Sequence, residues 1–241
     1  MRTAVIVQAR TGSSRLPGKV LKPLAGRTVL AHVLERCRAI PGADVVCCAT
    51  TDRSEDDAIV EASENAGAVV VRGPEQDVLN RYAMAAEAVG ADIVLRVTSD
   101  CPLIDPAVCA SVLELRTSEA ADFACNNMPP SWPHGLDCEV FKRQWLDRAD
   151  REATAPEERE HVGPYVRNHP DARKVNLACG EEGCVHHRWT LDTADDFAFM
   201  TAVFDRLPEG RAGWNWRIVL DIVRAEPTLS SINAEHARAA G

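Results

Sequence analysis

The chain has 241 residues, 36 of them Asp or Glu against 27 Lys or Arg, for a formal net charge of −9. That length fits one large α/β domain or a domain with a small lobe, and a chain of this size buries a core without staples. The acidic balance argues against nucleic acid as a partner, because phosphate-binding surfaces need a basic field, and no apolar stretch approaches the roughly 20 residues of a membrane span.

The first half alternates strands and helices. Residues 3–9 (TAVIVQA) read as a strand, entered so soon that no signal peptide fits before it. A Gly/Ser/Pro loop runs through Lys19, and Val29, Leu30, Val33, Leu34 and Cys37 recur at helical spacing over 28–40. Strands follow at 44–50, 67–72 and 92–98, separated by helices opened by Asp52 and Ser54 and over 76–89. Near-continuous apolar strands between amphipathic helices predict a mostly parallel sheet covered on both faces, a doubly wound α/β fold.

After residue 120 the rhythm changes. Strands broken by a Pro-rich loop are expected over 122–141, then a helix from Lys142. The charged segment 150–161 leads into a helix ending before Pro170. Residues 173–178 and 185–191 are expected to pair across a Cys/Gly/Glu turn, in a β-containing lobe or dimerisation arm. A helical stretch over 193–225 has a break at Pro208–Gly213, and the tail after Pro227 is expected to be partly loose.

Nine cysteines at irregular spacing, several in apolar settings, point to reduced thiols and a cytoplasmic protein. Cys179, Cys184, His186 and His187 resemble a zinc-ligand set, but the Cys-x4-Cys spacing is loose and adjacent histidines rarely share an ion.

In a doubly wound sheet, ligands bind beyond the carboxyl ends of the strands where strand order reverses. The loop after the first strand reads Gln8-Ala9-Arg10-Thr11-Gly12-Ser13-Ser14-Arg15-Leu16-Pro17-Gly18-Lys19. Its glycines and serines let backbone N–H groups approach a ligand, and Arg10, Arg15 and Lys19 bring positive charge, a combination suited to a triphosphate. Gly12 to Gly18 is one residue too long for a Walker loop, and Val20 replaces its Ser or Thr. With no G-x-G-x-x-G either, a dinucleotide cofactor is disfavoured.

Asp100 directly follows the strand at 92–98, so its carboxylate projects into the same crevice. Asp105 before Pro106 reads as a helix N-cap. Thr193 and Asp196 make a capping box, leaving Asp192 at a strand end, where a cap and a ligand for a hard cation such as Mg2+ are equally good readings.

The segments QARTGSSRLPGKVLKPLAG, RGPEQDVLNRY, SDCPLIDP, GLDCEVF, EREHVGPYV and HRWTLDTADDF, in this order, resemble the SpsF branch of the cytidylyltransferases, named for spore-coat polysaccharide synthesis and similar to CMP-sugar synthetases. The resemblance spans about residues 3–205. It implies a Rossmann-like, GT-A-like nucleotidyltransferase with 1–120 as nucleotide-binding core, 121–190 as acceptor or dimerisation lobe and 191–241 as C-terminal helices of a single domain. By analogy Arg10, Ser14, Arg15 and Lys19 would hold the triphosphate of CTP, within a nucleotide set of Gln8, Ala9, Gly12, Ser13 and Thr98. Asp100 and Asp192 fall where the relatives place Mg2+ ligands, and Lys19, Arg15 and Asp100 would carry catalysis. Arg72, Asp77, Arg81, Asp137, Glu139, Glu160, His161 and Arg188 would face a small, acidic sugar or related acceptor. A homodimer is implied as well.

Two other readings compete. A glycosyltransferase would use the same scaffold, but the cationic loop fits a triphosphate better than a diphosphate-sugar, and TSDCP at 98–102 has no D-x-D triplet. A non-catalytic nucleotide binder would be expected to lack Asp100, Asp192 or Lys19, and all three are present.

Overall fold

The computed structural model describes residues 1–208 and 214–237. The chain opens on β1 (Thr3–Gln8), whose Ala4, Val5, Ile6 and Val7 are all buried, as befits a strand covered on both faces. A loop leads to a two-stranded ribbon, β2 (Pro23–Leu24) and β3 (Arg27–Thr28), and into α1 (Val29–Arg38), capped by the Thr28 hydroxyl on Ala31 N. There follow β4 (Val45–Thr51), α2 (Asp57–Asn65), β5 (Val69–Gly73), α3 (Val78–Ala88), β6 (Ile93–Thr98) and α4 (Pro106–Ser118). Asp105 caps α4 as read from the sequence, accepting from Ala107 N and Val108 N.

The second half comprises β7 (Phe123–Cys125), β8 (Glu139–Lys142), α5 (Arg143–Glu152), α6 (Pro156–His161), α7 (Gly163–Asn168), β9 (Lys174–Asn176), α8 (Ala194–Phe204), α9 (Trp216–Ala225) and α10 (Pro227–Ser231). Its three strands join the same seven-stranded sheet, ordered β5-β4-β1-β6-β8-β7-β9. The pairs β4–β5, β1–β4, β1–β6 and β7–β9 are parallel, while β8 runs antiparallel to β6 and β7. From β1 the chain moves outward through β4 and β5, then returns to β6 on the other side of β1. Strand order therefore reverses between β1 and β6, whose last residues Gln8 and Thr98 lie in register.

One apolar layer packs α3, α5 and α7 against the sheet; the other packs α1, α2 and α4. Tyr82 of α3 is fully buried, with its hydroxyl within reach of the Ile6 and Val97 carbonyls at 3.2 and 3.3 Å, which ties the helix to the ends of β1 and β6. A third cluster gathers Trp132, Trp189, Phe199, Trp216 and Leu220 around the C-terminal helices.

Three expectations change. Residues 173–178 and 185–191 do not pair with each other: β9 pairs with β7, and Arg188 bridges to His134. The charged segment 150–161 is itself largely helical, because Pro156 opens α6 at a favoured first position. The tail expected to be loose folds back, burying Leu229 and Asn233. In the break expected at Pro208–Gly213, residues 209–213 lie outside the described residues, as do 238–241 of the tail. Among the described residues no helix is long and apolar enough to cross a membrane.

Candidate active site

A cleft of about 760 Å³ opens at the reversal point. Its floor is the end of β1 and β6, and its rim is the loop 9–19. Asp56 anchors that loop, taking hydrogen bonds from Thr11 N and Oγ1 at 2.8 and 2.7 Å and another from Thr51 Oγ1. Burial pushes the Asp56 carboxyl up, but these bonds outweigh it and hold the pKa below its ordinary value. The loop closes on itself where Gly18 N donates to Thr11 O at 3.0 Å; Gly18 sits at φ +65°, a conformation a side chain would strain.

Lys19 forms the centre of the site. Its Nζ donates to Asp100 Oδ2 at 2.9 Å, Asp192 Oδ1 at 2.8 Å and the Leu191 carbonyl at 2.9 Å. Burial alone would lower the Lys19 pKa, but the two carboxylates outweigh it and raise it. Burial would likewise raise Asp100, and the neighbouring ammonium holds it below the usual carboxylate range. Three oxygens from two chain segments thus converge on one point of positive charge. An all-oxygen donor set of this kind suits a hard cation, although among the described residues no group of three or more His, Cys, Asp or Glu side chains forms a metal cluster.

Asp192 is also held from behind. Its Oδ2 accepts from Arg188 Nη2 at 3.1 Å and lies 3.2 Å from the exposed Arg15 guanidinium. Thr193 and Asp196 form the expected capping box at the start of α8. Asp192 is therefore not used as the cap, and its carboxylate is available to the cleft.

The opposite wall comes from α3, β6, the β7–β8 connection and α6. Arg96, a charged residue inside the run IVLRVT, bonds Glu139 Oε2 at 3.1 Å and Gln8 Oε1 at 3.3 Å. Arg81 Nη1 donates to the Pro74 and Glu75 carbonyls at 2.5 and 2.7 Å. Gly135 brings the His134–Asp137 turn against Trp189, where a Cβ would lie 2.2 Å from the Trp189 carbonyl oxygen. His134 N and O then bond His187 O and Trp189 N. Cys101 is a wall residue, its thiol pushed well up by burial and the neighbouring Asp100, which suits packing rather than nucleophilic attack.

Of the residues read from the sequence, Gln8, Ala9, Arg10, Gly12, Ser13, Ser14, Arg15, Lys19, Thr98, Asp100 and Asp192 all line this cleft, together with Arg81, Asp137, Glu160 and His161. Four residues expected at the acceptor pocket do not. Arg72 bonds Asp57 and the Thr51 and Arg53 carbonyls, fastening β5 to the start of α2. Asp77 caps α3 and pairs with Arg159. Glu139 is buried against Arg96, and Arg188 is spent on Asp196 and Asp192. The sequence reading passed over Arg96, Ser99, Asn127 and Thr190, which also line the cleft. Only Arg96 carried a signal, a cation within an apolar strand.

A doubly wound sheet with a cationic loop and two carboxylates at its reversal point defines a nucleotide-handling enzyme of the nucleotidyltransferase class. Residues 4–201 match the cytidylyltransferase family, and the chain belongs to it. It is 33% identical to an uncharacterized protein of Methanocaldococcus jannaschii, over 97% of this chain and 95% of that one. It is 31% identical to the spore coat polysaccharide biosynthesis protein SpsF of Bacillus subtilis, over 85% of this chain and 87% of that one. The solved structure of a cytidylyltransferase from Leptospira borgpetersenii superposes with a TM-score of 0.90 at 28% identity, covering 95% of this chain and 97% of the other.

Proposed function

We propose that the protein transfers CMP from CTP to a hydroxyl of a small sugar or related acceptor, with release of pyrophosphate, in the synthesis of a polysaccharide or surface glycan. The observation that carries this reading is Lys19 set between Asp100 and Asp192 beneath a loop bearing Arg10 and Arg15. Backbone N–H groups of Gly12, Ser14 and Arg15 and these cations would cradle the triphosphate, while Ser13 N closes the loop on Thr11 O, with Gln8 and Ala9 on the floor of the cleft. The acceptor oxygen attacks the α-phosphorus in line while the bond to the β-phosphate breaks, so catalysis consists of positioning and neutralising charge. Arg15 and Lys19 face the negative charge that grows on the departing pyrophosphate.

Asp100 and Asp192, with the Leu191 carbonyl between them, would hold Mg2+. When bound, the ion supplies charge neutralisation at the phosphates. Lys19 would then exchange carboxylate partners for phosphate.

The test needs no acceptor. Thermal unfolding is recorded with each of the four ribonucleoside triphosphates and with UDP- and GDP-sugars, with and without Mg2+. Ligand at a hundred times its Kd adds about 2.7 kcal/mol of stability. Selective stabilisation by CTP supports the proposal. Stabilisation by a nucleotide-sugar alone replaces it with glycosyl transfer.

A further inference from the structure

We infer that Cys179 and Cys184 form a redox-active pair, which a low-molecular-weight disulfide such as oxidised glutathione converts into a disulfide within the chain. This site is independent of the nucleotide chemistry proposed above.

A thiol's redox chemistry follows its exposure and its neighbours. Among the described residues, Cys179 alone of the nine cysteines is not buried, so it alone meets a dissolved oxidant in the folded chain. Cys184 is 1% exposed and belongs to the apolar cluster around the C-terminal helices, and Cys179 packs against that same cluster. The residues between them, Gly180-Glu181-Glu182-Gly183, bend back, with Gly183 at φ +78°. Both ends of the bend are fixed: Cys179 N donates to Ser131 Oγ at 2.8 Å, and His187 N donates to Cys184 O at 3.1 Å. Glu181 ties its tip to α9 through Arg217 and Arg224, at 2.6 and 2.7 Å. The bend brings the two thiols into hydrogen-bonding reach of each other.

The neighbouring histidines do not join them. The His187 ring lies against Trp189, with centroids 5.7 Å apart. Among the described residues no three His, Cys, Asp or Glu side chains gather as a metal site, so the zinc-like spacing holds two thiols without the other ligands. A second pair supplies the contrast. Cys109 and Cys138 also meet, but at 0% and 1% exposure in the sheet core they are closed to an oxidant.

The exchange balances. The Cys179 thiolate attacks one sulfur of the oxidant, whose S–S bond breaks and releases one glutathione thiolate. Cys184 then attacks the Cys179 sulfur of the mixed disulfide and releases the second. Two electrons pass from the cysteines to glutathione, and the two thiol protons end on the glutathione released. At rest, burial first and then the Cys179 thiol push Cys184 up to about 12, so it waits as a thiol. Once Cys179 carries glutathione its charge is gone, which eases the second step.

The experiment incubates the folded, full chain with oxidised glutathione, unfolds it in excess iodoacetamide and digests it with trypsin without reductant. Cleavage after Lys174 and Arg188 leaves both cysteines in one peptide. The expected result is that this peptide is two hydrogens lighter and takes no alkyl group, while Cys109 and Cys138 are alkylated. Tm should rise by about 5 °C on oxidation and return with dithiothreitol. Cys184→Ser should stop at glutathione on Cys179, and Cys179→Ser should leave Cys184 to be alkylated. Alkylation of both cysteines, glutathione retained on Cys179 of the parent, or equal oxidation of Cys109 and Cys138 overturns the inference. A fall in Tm would mean that the bond forms only by distorting the bend, and overturns it as well.

Discussion

Arg188 meets Asp196 side-on, Nε to Oδ1 at 2.7 Å and Nη2 to Oδ2 at 2.8 Å, with the carboxylate fully buried. The same carboxylate accepts from the backbone N–H groups of Asp192 and Thr193 and from Asn233 Nδ2. One side chain therefore sets the segment carrying Asp192, opens α8 and fastens the C-terminal residues. Asp196→Asn leaves Arg188 charged without its main partner. A loss of about 3 kcal/mol is expected, read by urea unfolding. A loss below about 1 kcal/mol would mean that water or a shifted neighbour replaces the carboxylate.

The acid limit of stability follows from the same group. Burial would raise the Asp196 pKa, but bonds from Arg188, Asn233 and Asp192 N bring it far below its ordinary value. Asp56 is also lowered. A carboxyl with a depressed folded-state pKa contributes stability that is present above its unfolded pKa and is lost as pH falls toward the folded one. Unfolding free energy should thus lose this contribution below about pH 4, the unfolded carboxylate range, and the Asp196→Asn variant should show a shallower decline there.

Lys19 and Asp100 are expected to separate in their effects. Lys19→Met removes the cation between two carboxylates, so the variant should be less stable alone and should gain more from millimolar Mg2+ than the parent does. Turnover should fall at least about a hundredfold. Asp100→Asn should lose turnover to a similar degree while keeping its fold, since Lys19 retains Asp192 and Leu191 O. Near-normal activity of Asp100→Asn with Mg2+ would remove Asp100 from the metal-holding pair.

Asp56 touches no part of the cleft directly, yet it pins Thr11 in the middle of the cationic loop. Asp56→Ala should weaken CTP binding by about tenfold or more through loss of loop order. The measurement is a calorimetric Kd, accompanied by unfolding to confirm that the remainder of the chain persists.

The sheet core was legible because its strands are uninterrupted apolar runs and its helices carry local signals. Asp105, Thr193 and Asp196 were read as caps from spacing, and each caps in the structure. The cationic loop was legible as well, since its residues are contiguous. What spacing could not carry is partnership between distant segments. Arg188, Arg72 and Asp77 are charged residues in suggestive motifs, but their partners come from elsewhere in the fold and draw them out of the cleft. The same limit explains β9, whose parallel pairing with β7 depends on chain brought back across the sheet.

Asn233 donates to the Arg188 carbonyl and to Asp196, and so joins the end of the described chain to the residues behind Asp192. A ribosome delivers the cationic loop long before this asparagine. Lys19, Asp100 and Asp192 are delivered in that order, and the support behind Asp192 is complete only once Asn233 has followed them, so the centre is assembled later than the sheet beneath it. Proteolytic trimming from the carboxyl end, even well short of any residue that touches substrate, should silence the enzyme before it unravels the sheet.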